Sequence, residues 1–176
     1  MRTRNLFVAC ALLAACSGAE QPPTTVTFGN EADQILFGLS LTITSEGVMR
    51  AGIEADTAFQ YEARQLSELR GLTVYFYNSV GERTSTLTSR EGTYNWRSED
   101  MEARGNVVAV TPDQRRLTTE SLIYARATNK ISGSQPFVFD SPDQHLTGES
   151  FTSDPDFKNV VAVHPSGTLG QLDLDR

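Results

Sequence analysis

The side chains that could carry out catalysis are few and lie far apart in this sequence. Its two histidines, His145 and His164, lie in different segments, one beside a turn and one directly before a proline. Neither has a cysteine partner or the His-x-x-x-His spacing with which a helix presents two ligands to a metal ion. Both are therefore interpreted as surface histidines.

The acidic residues also lack the pattern of a reactive site. Asp154-Pro155-Asp156 and Asp173-Leu174-Asp175 could suggest calcium, but neither has the glycine-punctuated loop that gathers the ion's oxygen ligands. Gly148-Glu149-Ser150 lacks the second glycine of a nucleophile elbow, and the sequence has no P-loop or dinucleotide-binding fingerprint. We predict that the chain is not an enzyme, with no catalytic residue, no metal site and no cofactor.

One residue near the amino terminus is a candidate for covalent modification. A short basic segment is followed by an apolar run at residues 6–15, which is too short to span a membrane and is typical of a secretory signal peptide. Leu13-Ala14-Ala15-Cys16 resembles a bacterial lipobox, so Cys16 is the predicted lipid-attachment residue. Two or more acyl chains on Cys16 would anchor the mature chain to a membrane. Because Cys10 would be removed with the signal peptide and Cys16 would be capped by lipid, no cysteine remains for a disulfide.

Composition sets the domain plan and excludes some partners. We predict a signal peptide at residues 1–15, a lipidated tether at 16–33, one domain at 34–170 and a tail at 171–176. The domain is long enough for a real hydrophobic core. The formal net charge of -7 argues against nucleic acid and against electrostatic docking on anionic lipid.

The domain is predicted to be β-structure throughout. Apolar and polar residues alternate at 39–44 and 72–77, the runs 107–110, 137–139 and 160–163 are rich in β-branched or aromatic residues, and turn residues follow each of these five runs. The only plausible helical stretch, 56–70, is flanked by strand-like residues and is kept as strand or loop. Many short strands at regular spacing predict an all-β sandwich, jelly roll or solenoid.

A repeated motif supports this prediction and adds a detail. Pro112-Asp113-Gln114 is echoed about thirty residues later by Pro142-Asp143-Gln144, a period that indicates stacked supersecondary units. In each copy an apolar residue follows a leucine after five positions, as at Leu117 and Leu122. An odd spacing puts two residues on opposite faces of a regular strand, so we expect a bulge or corner between them. A flat sheet with the two residues on opposite faces is the alternative.

Most of the large apolar residues should point inward. They would either fill an ordinary sandwich core or line an apolar trough for acyl chains, in which each buried methylene contributes about 0.8 kcal/mol. Alternation alone fits both interpretations. The candidate groove residues are Leu72, Val74, Phe76, Tyr94, Val108, Val110, Leu117, Leu122, Tyr124, Phe137, Phe139 and Phe151.

Several segments resemble the LptC family of lipopolysaccharide export and its relative LptA. The resemblance covers roughly residues 35 to 165 and is carried by the segments 53–58, 72–76, 85–92, 101–107 and 116–124. It implies an antiparallel, twisted, boat-like β-jelly roll that stacks edge to edge with similar jelly rolls. It also implies lipopolysaccharide as cargo, with the export permease and ATPase complex and an LptA-like bridge protein as partners.

The anchor departs from the pattern of the best-known members of that family. They carry a spanning helix, whereas this sequence offers the lipobox at Cys16, and Ser17 stands where some bacteria use Asp as an inner-membrane retention signal. Inner-membrane placement is thus implied by the resemblance, and the outer membrane stays open. Two other hypotheses remain: a structural repeat lipoprotein (scaffold or adhesin) with a solid core, and a carbohydrate-active β-sandwich enzyme with paired carboxylates.

Overall fold

The alternating segments form β-strands, as predicted. In a computed structural model, which describes residues 31–169, the strands are β1 (Gln34–Ser45), β2 (Val48–Tyr61), β3 (Leu66–Tyr77), β4 (Arg83–Asn95), β5 (Met101–Val110), β6 (Arg116–Ala125), β7 (Lys130–Gly133), β8 (Phe137–Ser141), β9 (Gln144–Gly148), β10 (Ser150–Ser153), β11 (Val161–Val163) and β12 (Ser166–Leu169). The described residues contain no helix that is long and apolar enough to cross a membrane. The predicted signal peptide, most of the tether and the tail lie outside the described residues.

The twelve strands belong to one antiparallel sheet that forks at β6. Consecutive strands pair from β1 to β7, and β10 and β11 continue beyond β7. The first half of β6 pairs instead with β8, which is followed by β9 and then by β12. Among residues 31–169, strand β1 pairs only with β2, so its other side is an open edge of the described sheet.

Each long strand contains a corner at which the buried face changes. In β6, Leu117 and Thr119 are buried before the corner, and Leu122 and Tyr124 are buried after it. The step from Thr119 to Leu122 is odd, so the strand turns its other face inward between them. The predicted corner is confirmed, and the flat-sheet alternative is wrong.

Glycine and an extra residue create this corner in the middle strands. Gly71 in β3 has a φ of 63°, and a Cβ there would overlap the carboxylate of Asp56 on the neighbouring strand. In β5, Gly105 and Asn106 both have positive φ, and the pairing with β4 and β6 shifts register at this point. Such a bulge bends the strand and increases its twist.

The corners fold the sheet into two facing layers. The first layer is formed by strands β8, β9 and β12 together with residues 39–45, 48–55, 72–77, 83–89, 107–110 and 116–119. The second layer is formed by strands β7, β10 and β11 together with residues 34–37, 57–61, 66–70, 91–95, 101–104 and 121–125. Phe76 of the first layer meets Tyr124 of the second with 5.1 Å between ring centroids. Phe137 and Phe151 meet in the same way at 4.9 Å. The core therefore lies between the layers of a twisted β-jelly roll.

Two details refine the sequence prediction. The stretch 56–70 is strand β2, a turn and strand β3, so treating it as strand or loop was correct. In the copy of the repeat that begins at Pro142, Leu146 and Phe151 lie on separate strands, β9 in the first layer and β10 in the second. In that copy the strand is interrupted at Glu149, where the chain passes from the first layer to the second and so connects the two arms of the fork.

Candidate functional site

The two layers separate at the end of the sheet formed by β1, β2 and β3, leaving a cleft between them. The cleft has a volume of about 360 Å³, within the range of small-molecule sites. Its lining residues are Leu39, Leu41 and Ile53 from the first layer and Gln60, Ser67, Leu69, Tyr94 and Trp96 from the second. Because β1 is an edge strand, Leu39 and Leu41 are only partly buried, and the cleft is open to solvent along this edge.

The cleft wall is mainly apolar and carries no charged side chain. The Trp96 indole N–H donates a hydrogen bond to Ser67 Oγ at 2.7 Å, so these two polar groups satisfy each other. Burial, reinforced by nearby Glu99, raises the pKa of the Tyr94 hydroxyl above its ordinary value, so this group is neutral at physiological pH. A neutral wall suits a hydrocarbon ligand, because no charge would lose its hydration when the ligand enters.

Apolar side chains continue from the cleft across both layers. Strand pairing aligns one row in the first layer, formed by Leu41, Ile53, Val74, Leu87, Ala109, Leu117 and Phe139. A second row with smaller side chains crosses the second layer, formed by Leu36, Ala58, Leu69, Gly92, Ala103 and Leu122. Leu41 and Ile53 of the first row and Leu69 of the second line the cleft together, so the two rows carry apolar side chains from the open cleft to β6.

The structure brings ten of the twelve predicted groove residues into this interior. They are Leu72, Val74, Phe76, Tyr94, Leu117, Leu122, Tyr124, Phe137, Phe139 and Phe151, and each is at most 9% exposed. Tyr94 also lines the open cleft. The others are packed in the closed part of the core, so their contact with a ligand stays a prediction.

Val108 and Val110 are corrections to the predicted groove. Both lie on the outer face of β5, and Val110 is 38% exposed, whereas Val107 and Ala109 point inward. All four residues are apolar, so alternation could not identify the buried pair. The extra residue at the Gly105–Asn106 bulge decides which pair is buried.

The sequence interpretation missed the residues that form the open end of the cleft. Leu39, Leu41 and Trp96 line it although none was a candidate. The alternation at 39–44 correctly predicted a strand, but the position of that strand at the sheet edge depends on pairing far along the chain. The single tryptophan of the sequence, which lies beside a turn, was the one local feature of the sequence that could have indicated the cleft.

The two histidines occupy the surface, and Asp173-Leu174-Asp175 lies outside the described residues. His145 is exposed, with its Nδ1 2.5 Å from Asp140 Oδ1, and His164 is exposed with its Nδ1 2.9 Å from Glu149 Oε2. The interpretation of both as surface histidines is confirmed. Among residues 31–169 there is no cluster of three or more His, Cys, Asp or Glu placed to hold a metal ion.

The fold and cleft define an open β-jelly roll with an apolar interior. The sequence profile of the lipopolysaccharide-assembly, LptC-related family matches residues 6–160, and the chain belongs to this family. Membership gives it a role in lipopolysaccharide transport and a location in the periplasmic part of the cell envelope.

A solved structure shares the fold. The chain is similar to LptH from Pseudomonas aeruginosa, described as the LptA homologous periplasmic component of the conserved lipopolysaccharide transport device. The sequence identity is 12% and the TM-score is 0.55, with 69% of this chain and 95% of LptH covered. A search of curated proteins finds no significant match.

Proposed function

We propose that the chain is a lipid-transfer component of lipopolysaccharide export. It takes lipid from the inner-membrane permease, holds acyl chains in the cleft between the layers, and passes the lipid to a stacked β-jelly-roll bridge. The observation that carries this proposal is the uncharged apolar cleft, open at the β1 edge of an LptC-related fold. The chain supplies a path, and the energy comes from ATP hydrolysis elsewhere in the complex.

The free sheet edges support the stacking part of the proposal. On β1, Ile35 is 51% exposed and Phe37 is 81% exposed, and at the opposite end Val161 and Val163 of β11 are 67% and 49% exposed. An open edge can accept a strand from another chain. Apolar side chains at both ends would be covered by this addition, so a permease could dock at one edge and a bridge protein at the other.

A structural lipoprotein with a solid core is the second candidate. The observation that favours it is the closed packing of Leu122, Phe137, Phe139 and Phe151, each at most 3% exposed. In that case the cleft would be an unfilled end of a sandwich, and the chain would act as a scaffold or adhesin. Lipid contact inside the cleft separates the two candidates.

Photocrosslinking in cells tests the lipid contact. A photoreactive residue at Leu41, on the cleft wall, is expected to give a lipopolysaccharide adduct. The same residue at Thr42, the exposed neighbour on the outer face of β1, is the matched control and should give none. An adduct at Thr42 alone, or no adduct at either position, would favour the structural lipoprotein.

The predicted anchor has its own test. Replacing Cys16 with serine is expected to release the chain from the membrane fraction into the soluble fraction, because lipidation at this residue is the proposed membrane attachment. Cell fractionation measures the distribution. Cys10→Ser is the matched control, since Cys10 lies in the predicted signal peptide and should leave the distribution unchanged. Retention of the Cys16→Ser chain in the membrane fraction would contradict this anchor.

A further inference from the structure

A short loop that does not line the cleft packs against the core. Residues 154–159 leave the second layer after β10 and place Phe157 in the core with 2% exposure. Phe157 has a φ of 53°, an unusual value for a bulky residue. The surrounding contacts therefore hold the loop in this conformation.

Two hydrogen bonds connect the first layer to the backbone of this loop. Ser85 in β4 is 1% exposed, and its hydroxyl donates to the carbonyl oxygen of Pro155 at 2.6 Å. Arg115, in the turn after β5, donates through Nη1 to the carbonyl oxygen of Asp156 at 3.2 Å. Both bonds run from one layer to a loop of the other, so they tie the layers together.

Internal hydrogen bonds make the loop a unit. The Asp154 carboxylate accepts hydrogen bonds from Asn159 Nδ2 at 2.6 Å and from the Lys158 backbone N–H at 3.0 Å. Burial acts to raise the pKa of the Asp154 carboxyl, but hydrogen bonding with Asn159, Asp156 and the backbone outweighs it and lowers that pKa to about 2. The carboxylate is therefore ionised at physiological pH and keeps these hydrogen bonds within the loop.

We propose that residues 154–159 form a clasp that limits how far an acyl chain can enter the interior from the cleft. Phe157, which is buried in the core beyond the residues that line the cleft, is the plug, and the Ser85 and Arg115 hydrogen bonds hold it in place. When the clasp releases, the layers part along the apolar rows and a longer stretch of hydrocarbon is accommodated. This inference rests on the proposed function, since it concerns the regulation of the same cleft.

The test uses straight-chain fatty acids of increasing length as probes of the purified domain. Affinity is expected to rise about fourfold per methylene while the chain enters apolar space and to stop rising when that space is filled. Ser85→Ala leaves the buried Pro155 carbonyl without its partner, which weakens the clasp. We expect this variant to gain affinity over a range of chain lengths at which the wild-type protein has already reached its plateau.

A neighbouring residue supplies the matched control. Thr84 donates its hydroxyl to the carbonyl oxygen of Phe76 at 3.3 Å, a hydrogen bond within the first layer. Thr84→Val should leave the plateau where it is in the wild-type protein. Phe157→Ala, which removes the plug, should move the plateau in the same direction as Ser85→Ala, and cooperative thermal unfolding verifies that each variant is folded.

The outcomes separate the clasp from the function on which it rests. Binding with the same plateau in the wild-type, Ser85→Ala and Phe157→Ala proteins would overturn the clasp and leave lipid transfer standing. A plateau moved equally by Thr84→Val would also overturn it, because the effect would not depend on bonds between the layers. Failure of every protein to bind any fatty acid would contradict the proposed function itself, and the clasp with it.

Discussion

Replacing Gly71 with alanine is expected to lower the free energy of unfolding by about 2–4 kcal/mol. The φ of 63° at Gly71 is unfavourable for any residue with a side chain. In addition, the new Cβ would overlap the Asp56 carboxylate that lies over the glycine. Urea denaturation measures the change, with an unchanged m-value indicating that stability alone was affected.

A second glycine separates the two causes. Gly47, in the turn between β1 and β2, has a φ of 76° but has open space where a Cβ would lie. Gly47→Ala should therefore cost only the backbone part, about 1–2 kcal/mol. Adding Asp56→Ala to the Gly71→Ala protein should recover the remainder. Equal losses in the two single variants would contradict the close approach of strands at the corner.

The corner is the feature of the fold that the sequence predicted most directly. The odd spacing puts Leu117 and Leu122 on opposite faces of a regular strand, so the burial of both in one core needs a change of face within the strand. Both residues are buried, at 0% and 2% exposure. The strand content could be predicted for the same local reason, since alternation and turn residues act over a few positions.

The open cleft could not be predicted in this way. Leu41 belongs to the cleft because, within the described part of the chain, β1 is the end strand of the sheet, and that depends on the pairing of the whole sheet. Val110 was expected inside but lies outside, because one extra residue at the β5 bulge fixes the register. Edge position, register and layer separation arise from contacts between distant segments, so residues near these features are the least predictable from local pattern.

Replacing Leu41 with glutamate is expected to reduce the affinity for a long-chain fatty acid or for purified lipopolysaccharide by about a hundredfold or more. The carboxylate would stand on the cleft wall, where bound hydrocarbon would strip it of water without offering a partner. Leu41 is only partly buried, so without a ligand the charge keeps contact with solvent and the domain should still fold. Titration of the purified variant measures the affinity.

Thr42→Glu is the control that isolates the position of the charge. Thr42 follows Leu41 in β1 and is exposed on the opposite face, so both variants add the same charge to a chain whose net charge is -7. Repulsion between the whole protein and an anionic lipid would weaken binding in both variants equally. A loss confined to Leu41→Glu would instead mean that the ligand lies against the cleft wall. Equal affinities in the two variants would contradict the cleft as the lipid site and would favour the structural lipoprotein with a solid core.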